Sequence, residues 1–313
     1  MIHIEKLLSY FAYYFRPFFI IKFLKFNKKY SIIKKIISIY DPNNIRKKIS
    51  LKLKNKNIFF KKNNLRFKLD INDHIAYNFF INEKWNDIPI KIAKKIGFNK
   101  NDIFVDIGAN TGLVSVPFAN EFDCCVIAVE ASQKNGEFLK KNISDNNLNI
   151  KPVIKFLSSD KTELKTKLFS FNGNNGAKSF YENWNPSLSK TEYEIVENTT
   201  LDHELKDYQI DKIKIIKLDI EGYEFEVLKN FKLLNQIKAV IVFEYNVNYL
   251  KKIYNKDYDI LLRFLKSDFD LYFIENLDDN KINLKKINHD ESSEVVAIPK
   301  KFRSNYKSLI IQI

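Results

Sequence analysis

Two cysteines in 313 residues leave little room for disulfide or zinc chemistry. Cys124 and Cys125 are adjacent, and adjacent residues of a strand point to opposite faces. A structural disulfide is therefore not expected. No zinc-ligand spacing occurs, and the pattern fits a reducing, cytoplasmic compartment. Both G-x-G-x-x-G and a G-K-[ST] ending are missing, which argues against a dinucleotide fingerprint and a P-loop. There is no internal repeat and no small-residue cleavage site after the first apolar run. That run, Leu7 to Phe26, contains Arg16, Pro17, Lys22 and Lys25. A spanning helix needs about 20 mostly apolar residues, so this one is not expected to cross a membrane.

Positive charge is abundant and lopsided. The net charge is +14, and Met1 to Asp70 alone carries 18 Lys and Arg against 3 acids. The rest of the chain is close to neutral. The general richness in Lys, Asn, Ile and Phe weakens each lysine as a functional signal. Two readings fit residues 1–40. They form interfacial helices on an anionic membrane surface, the second over Ile32 to Ile39, or their aromatics pack on the catalytic domain or a second subunit. Alternating pieces such as Leu51-Lys52-Leu53-Lys54 and Leu65 to Leu69 predict short half-exposed strands. Asp73 is placed to cap a helix holding Ile75, Phe79 and Phe80, and Ile88 to Ile96 predicts a helix stopped by Gly97. Residues 1–96 thus read as a basic, aromatic-rich segment, and residues 97–313 as a separate domain.

That domain is organised around Ile103 to Gly112. Ile103, Phe104, Val105 and Ile107 are apolar in the manner of a parallel strand covered on both faces. Asp106 interrupts them, and Gly108, Ala109, Asn110 and Gly112 form a turn before an apolar helical stretch, Leu113 to Ala119. A glycine here admits unusual dihedrals and leaves the backbone amides open to a ligand. Open α/β sheets bind ligands at the carboxyl ends of their strands. The acid ahead of the glycines repels a pyrophosphate but suits an ammonium group, which points to S-adenosylmethionine rather than NAD or ATP.

Strand and helix then alternate. Predicted strands are Cys124 to Val129, Val153 to Leu157, Ile213 to Ile220 and Ala239 to Phe243. Predicted helices lie around Asn135 to Asn142, Leu201 to Leu205, Tyr223 to Leu228 and Tyr258 to Leu265. Residues 161–200 carry Asn-Gly turn signals and period-two pieces, so they read as an antiparallel insert over the ligand edge. Phe269 to Ile274 and Glu294 to Ile298 are joined too briefly for a crossover helix and should pair antiparallel.

Four acids stand at predicted strand ends: Asp106, Glu130, Asp219 and Glu244. Charged residues are rare in buried strands, and these fall where a ligand crevice belongs. Glu130 ends the second strand, where an acid accepts hydrogen bonds from ribose hydroxyls. Each acid alone would also serve as a helix cap or a solvated loop residue.

Asp106 to Gly112, Thr200-Leu201-Asp202 and Lys217-Leu218-Asp219-Ile220-Glu221-Gly222-Tyr223-Glu224 occur in that order. With Val240 to Glu244, the order resembles the FkbM-type S-adenosylmethionine-dependent methyltransferases over roughly residues 97–299. The resemblance implies a class I methyltransferase (Rossmann-like) α/β fold, with a mostly parallel seven-stranded sheet and the last strand antiparallel. It implies that Asp106, Gly108, Ala109, Asn110 and Gly112 shape the methionine side of the cofactor site. Glu130 would bind ribose, and Ser159 and Asp160 would lie near adenine. It also implies O-methylation of a sugar, a glycan or a small-molecule hydroxyl. Asp219 is the first candidate base, with Glu221 or His203 beside it. His203 departs from the family pattern, which has an acid there. No metal is expected. The alternatives are a nucleic-acid methyltransferase using the basic segment and a non-catalytic scaffold. The fourth strand lacks the Asn-Pro-Pro-aromatic or Pro-Cys arrangement of base methylation, and the intact loop argues against a scaffold.

Overall fold

The computed structural model describes residues 58–62, 64–70, 73–82, 86–158, 163–171, 174–181, 191–277 and 282–310. The expectations for residues 1–57, and those for Ser159 and Asp160, lie outside these. The chain divides into two compact units, residues 1–85 with 173–176, and residues 86–172 with 177–313.

In the first unit, β1 (Ile58–Lys62) and β2 (Leu65–Leu69) form an antiparallel hairpin. Leu65, Phe67 and Leu69 are buried and alternate with more exposed residues, the period-two pattern of a half-covered strand. Helix α1 (His74–Asn82) begins where Asp73 Oδ1 accepts from the Ala76 N–H at 2.8 Å. The Phe79 ring meets Phe67 edge-on at 4.9 Å.

The second unit opens with α2 (Ile88–Ile96), which has Pro89 in its first turn. Gly97 ends it in the left-handed region, φ 70°, which a residue without Cβ adopts at no steric cost. This helix groups with the larger unit, which begins at Asn86. The chain continues through β3 (Ile103–Ile107), α3 (Ser115–Phe122), β4 (Cys125–Val129), α4 (Gln133–Ser144) and β5 (Ile150–Val153). Next come β6 (Phe156–Leu157), β7 (Lys165–Phe171), β8 (Asn174–Ser179, of which residues 174–176 group with the first unit), β9 (Thr191–Thr199) and α5 (Leu201–Leu205). The last part holds β10 (Ile213–Leu218), α6 (Glu224–Lys229), β11 (Val240–Tyr245), α7 (Val247–Tyr254) and α8 (Ile260–Leu265). It ends with β12 (Phe269–Leu277), β13 (Ile282–Lys286), β14 (Ser293–Pro299) and α9 (Lys307–Ile310).

The main sheet has the order β13-β12-β14-β11-β10-β3-β4-β5. β5, β4, β3, β10 and β11 run parallel, and β14 runs antiparallel to both β11 and β12. This is the class I methyltransferase arrangement, with the reversed last strand where the sequence placed it. Its central strand β3 is buried along its whole length, and β4, β10 and β11 at all but one residue each, as a sheet covered on both faces requires.

Three details differ from expectation. An eighth strand, β13, occupies the connection between β12 and β14 and pairs at the sheet edge. The first crossover helix starts at Ser115, two residues after Leu113. The third strand is Ile150–Val153, not Val153 to Leu157. Pro152 lies within it, and an edge strand such as β5 tolerates the missing N–H. Phe156 and Leu157 leave the main sheet and pair parallel with β9.

The insert is antiparallel, as its period-two pattern indicated. β7 and β9 pair along seven residues, from Lys165 opposite Glu197 to Phe171 opposite Thr191. Leu168 and Val196 face the core, while Lys167 and Ile195 face outward. No described helix is long and apolar enough to cross a membrane.

Candidate active site

The carboxyl ends of β3, β4, β10 and β11 bring the four acids to one edge of the sheet. β3 runs into the loop through a φ of 81° at Gly108. A Cβ there would lie 2.0 Å from the Asp219 carbonyl oxygen, so no other residue lets the loops after β3 and β10 touch. The Gly108 and Ala109 N–H groups both donate to the Val129 carbonyl at 2.9 Å. Asn110 follows in the left-handed region at φ 52°, and the Gly112 N–H closes the turn onto Ala109 O.

Asp106 is fully buried. Its Oδ2 accepts from Ser115 Oγ at 2.6 Å, and its Oδ1 lies 3.5 Å from Lys217 Nζ. Lys217 is itself 3% exposed and reaches Asp219 Oδ2 at 3.2 Å. Burial works against its charge, but Asp219, Asp106 and Glu294 outweigh that and push its pKa up. Lys217 and Asp106 face each other across neighbouring parallel strands, so one lysine ties the first strand of the sheet to the end of the fourth.

The turn after β10 carries Glu221 and Gly222, both with positive φ (57° and 94°). For a non-glycine residue that conformation is strained, and such strain collects at functional sites. Glu224 holds the turn: its Oε1 accepts from the Ile220 N–H at 3.0 Å and the Gly222 N–H at 3.4 Å. Burial holds the Glu221 pKa well above the usual carboxylate range, and the charges of Asp219, Glu244 and Glu224 add to it. Glu244 is raised by burial and by Asp219. Glu294 of β14 stands opposite Glu244 in the sheet register and accepts from Asn86 Nδ2 at 3.2 Å. Burial and Asp219 push its pKa up to about 7.

Glu130 ends β4, buried and fixed. Its Oε2 accepts from the Asn110 N–H at 2.8 Å, and its Oε1 from the Ser132 N–H at 2.9 Å. Burial raises its pKa, against the lowering effect of these bonds. The carboxylate oxygens retain lone pairs for further donors.

His203 is not part of this cluster. It is exposed in α5, with its backbone N–H on the Thr200 cap. It lines a groove of about 270 Å³ with Lys155, Glu163 and Asn198. Among the described residues, no group of three or more acid, His or Cys side chains is arranged to hold a metal ion. Lys217, Glu224 and Glu294 carry roles that sequence reasoning did not assign. Lys217 was visible as one of two lysines within the apolar strand Ile213–Leu218, and Glu224 as an acid two residues past Gly222. Glu294 gave no signal, because its place depends on which strands are neighbours.

Glu224 gives a stability prediction. Burial pushes its pKa up from 4.5 to about 7 in the folded chain. Folding therefore favours its protonated form. That contribution is complete below the unfolded pKa and is lost as pH rises through about 7. The loss should reach roughly 2–3 kcal/mol. Glu224→Gln keeps an acceptor oxygen for the turn and removes the titration. Denaturant midpoints from acid to mildly alkaline pH should fall less steeply for Glu224→Gln than for wild type. Equal slopes would mean that Glu224 keeps an ordinary pKa.

The residues fit S-adenosylmethionine. Asp106 Oδ1 is a buried carboxylate oxygen that pairs with the Lys217 ammonium at 3.5 Å but accepts no hydrogen bond among the described residues, and Glu130 is a preoriented acid with lone pairs to spare. Both suit a cation-bearing nucleoside.

Among solved structures, the chain resembles the precorrin-6y C5,15-methyltransferase of Geobacter metallireducens. Identity is 12% and the TM-score 0.37, over 67% of this chain and 87% of that one. It also resembles an O-methyltransferase from Bacillus cereus in complex with SAH, with 11% identity and a TM-score of 0.39 over 67% and 79%. No curated protein matches it in sequence. The family described as the methyltransferase FkbM domain matches residues 106–271, more than half of the chain. The loop from Asp106 and the acids Asp219, Glu221 and Glu244 fall within the matched residues, and the chain belongs to the FkbM family of S-adenosylmethionine-dependent methyltransferases.

Proposed function

We propose that the enzyme methylates a hydroxyl group of a sugar or glycan, or of another small molecule. The observation that carries this reading is the set of carboxylates beside the glycine loop: Asp219, Glu221 and Glu244. A hydroxyl acceptor must lose a proton during transfer, and a carboxylate with raised proton affinity is the better base. When bound, S-adenosylmethionine supplies an electrophilic methyl group on a sulfonium sulfur. Asp106 would face its ammonium group, the backbone of Gly108, Ala109, Asn110 and Gly112 would line its methionine part, and Glu130 would accept from its ribose. Lys217 holds Asp219 in an ion pair, which suits Asp219 to orient the acceptor hydroxyl. Glu221 then takes the proton. The peripheral membrane contact suggested by the basic, aromatic residues 1–40 belongs to a stretch outside those described.

Labelled methyl transfer to sugars, oligosaccharides and nucleic acids tests the reading. Label should enter the carbohydrate fraction and resist mild alkali, as a methyl ether does and a methyl ester does not. Label found only in nucleic acid would overturn it. The cofactor assignment has its own check. Glu130→Ala should weaken S-adenosylhomocysteine binding by about 1.5–3 kcal/mol, since it removes charge-assisted hydrogen bonds. Calorimetry on the folded variant measures this, and unchanged affinity would move the ribose contact elsewhere.

A further inference from the structure

The insert reaches the cofactor side of the sheet through one side chain. Lys178, in β8, is buried to 11% side-chain exposure and donates to Ser132 Oγ at 2.7 Å. Its second partner is the Glu194 carboxylate of β9. Glu194 in turn accepts from the Gln133 N–H at 3.1 Å, at the first turn of α4. Ser132 is the cap of that helix, accepting from the Asn135 N–H at 3.3 Å, and its own N–H is the donor to Glu130 Oε1. The insert is thus bonded to the residue that aims Glu130.

Resting on the cofactor reading of Glu130, we propose that Lys178 is a positioning residue of the cofactor site: it fixes Ser132, and its ammonium supplies the countercharge to Glu130. The groups facing Glu130 are the Asn110 N–H from the loop after β3, the Ser132 N–H and Asn135 side chain from α4, and Lys178 from the insert. Of these only Lys178 carries a charge. The charge facing Lys178 from β9 is Glu194. A ribose hydroxyl donates more strongly to an ionised carboxylate than to a neutral one. Cofactor affinity should therefore fall as pH drops through the Glu130 titration, which burial moves up and Lys178 moves back down.

Calorimetric titration with S-adenosylhomocysteine over a range of pH tests this on the full chain. Lys178→Gln should weaken binding about tenfold at neutral pH, the loss of one charge-assisted contact. It should also move the midpoint of the acid-side fall to higher pH, and Lys178→Arg should restore both. Glu194→Gln keeps an acceptor for the Gln133 N–H and frees the lysine charge, so it should move the midpoint to lower pH. A purely structural prop would lower affinity by the same factor at every pH and give no opposite shifts. Unmoved midpoints in the Lys178→Gln and Glu194→Gln proteins would overturn the inference. Glu130→Ala in the same series separates the two claims. If it binds like wild type, the ribose reading fails. If it loses affinity while the other variants keep their midpoints, only the role of Lys178 fails.

Discussion

Lys217→Met should lower stability by about 3–5 kcal/mol, the cost of leaving a buried charge without its partner. Asp106 is 0% exposed, and without Lys217 its carboxylate keeps one hydrogen bond, from Ser115. Asp219 suffers less, because its side chain is 33% exposed and can be hydrated. The asymmetry makes the partner to test Asp106. The double variant Lys217→Met with Asp106→Asn removes both buried charges and should recover much of the loss. Denaturant unfolding of the two singles and the double gives the coupling directly. A loss below about 1 kcal/mol in Lys217→Met would show that the pair contributes little to holding β3 against β10.

Glu221→Gln should lower turnover about 10²–10⁴-fold if Glu221 accepts the acceptor's proton. The substitution keeps the size of the side chain and its strained position in the turn, so the cofactor loop is undisturbed. S-adenosylhomocysteine affinity should stay within a few-fold of wild type. Asp219→Asn is the informative comparison. A residue that orients the hydroxyl affects the Michaelis constant as well as the rate, whereas loss of the base acts on the rate alone. Turnover of Glu221→Gln near the original rate would return the base to Asp219, which the sequence motif had favoured.

The parts of this site that could be read from sequence are those made by consecutive residues. Asp106 to Gly112 is a strand, a break and a glycine turn in one stretch, so it announces both its shape and its end. The same holds for Glu130, the last residue of an apolar run. The Lys217–Asp106 pair was hidden because it depends on β3 and β10 being neighbours, and no local pattern encodes which strands adjoin. Glu294 was hidden for the same reason. The insert's contact with Ser132 needed Lys178 and Glu194 together, two charges that on sequence alone look like a solvated face.

The reversed strand has a consequence for how the chain is made. β11 and β12 do not pair with each other, because β14 lies between them. Both are synthesised before residues 293–299 exist. Until then each presents an unpaired edge, and strand edges are where growing chains associate wrongly. Val295, Val296, Ala297 and Ile298 are all 0% exposed once in place. The last sheet strand to be synthesised therefore seals the centre of the sheet rather than extending its rim. A chain ended before Ser293 would carry two open edges.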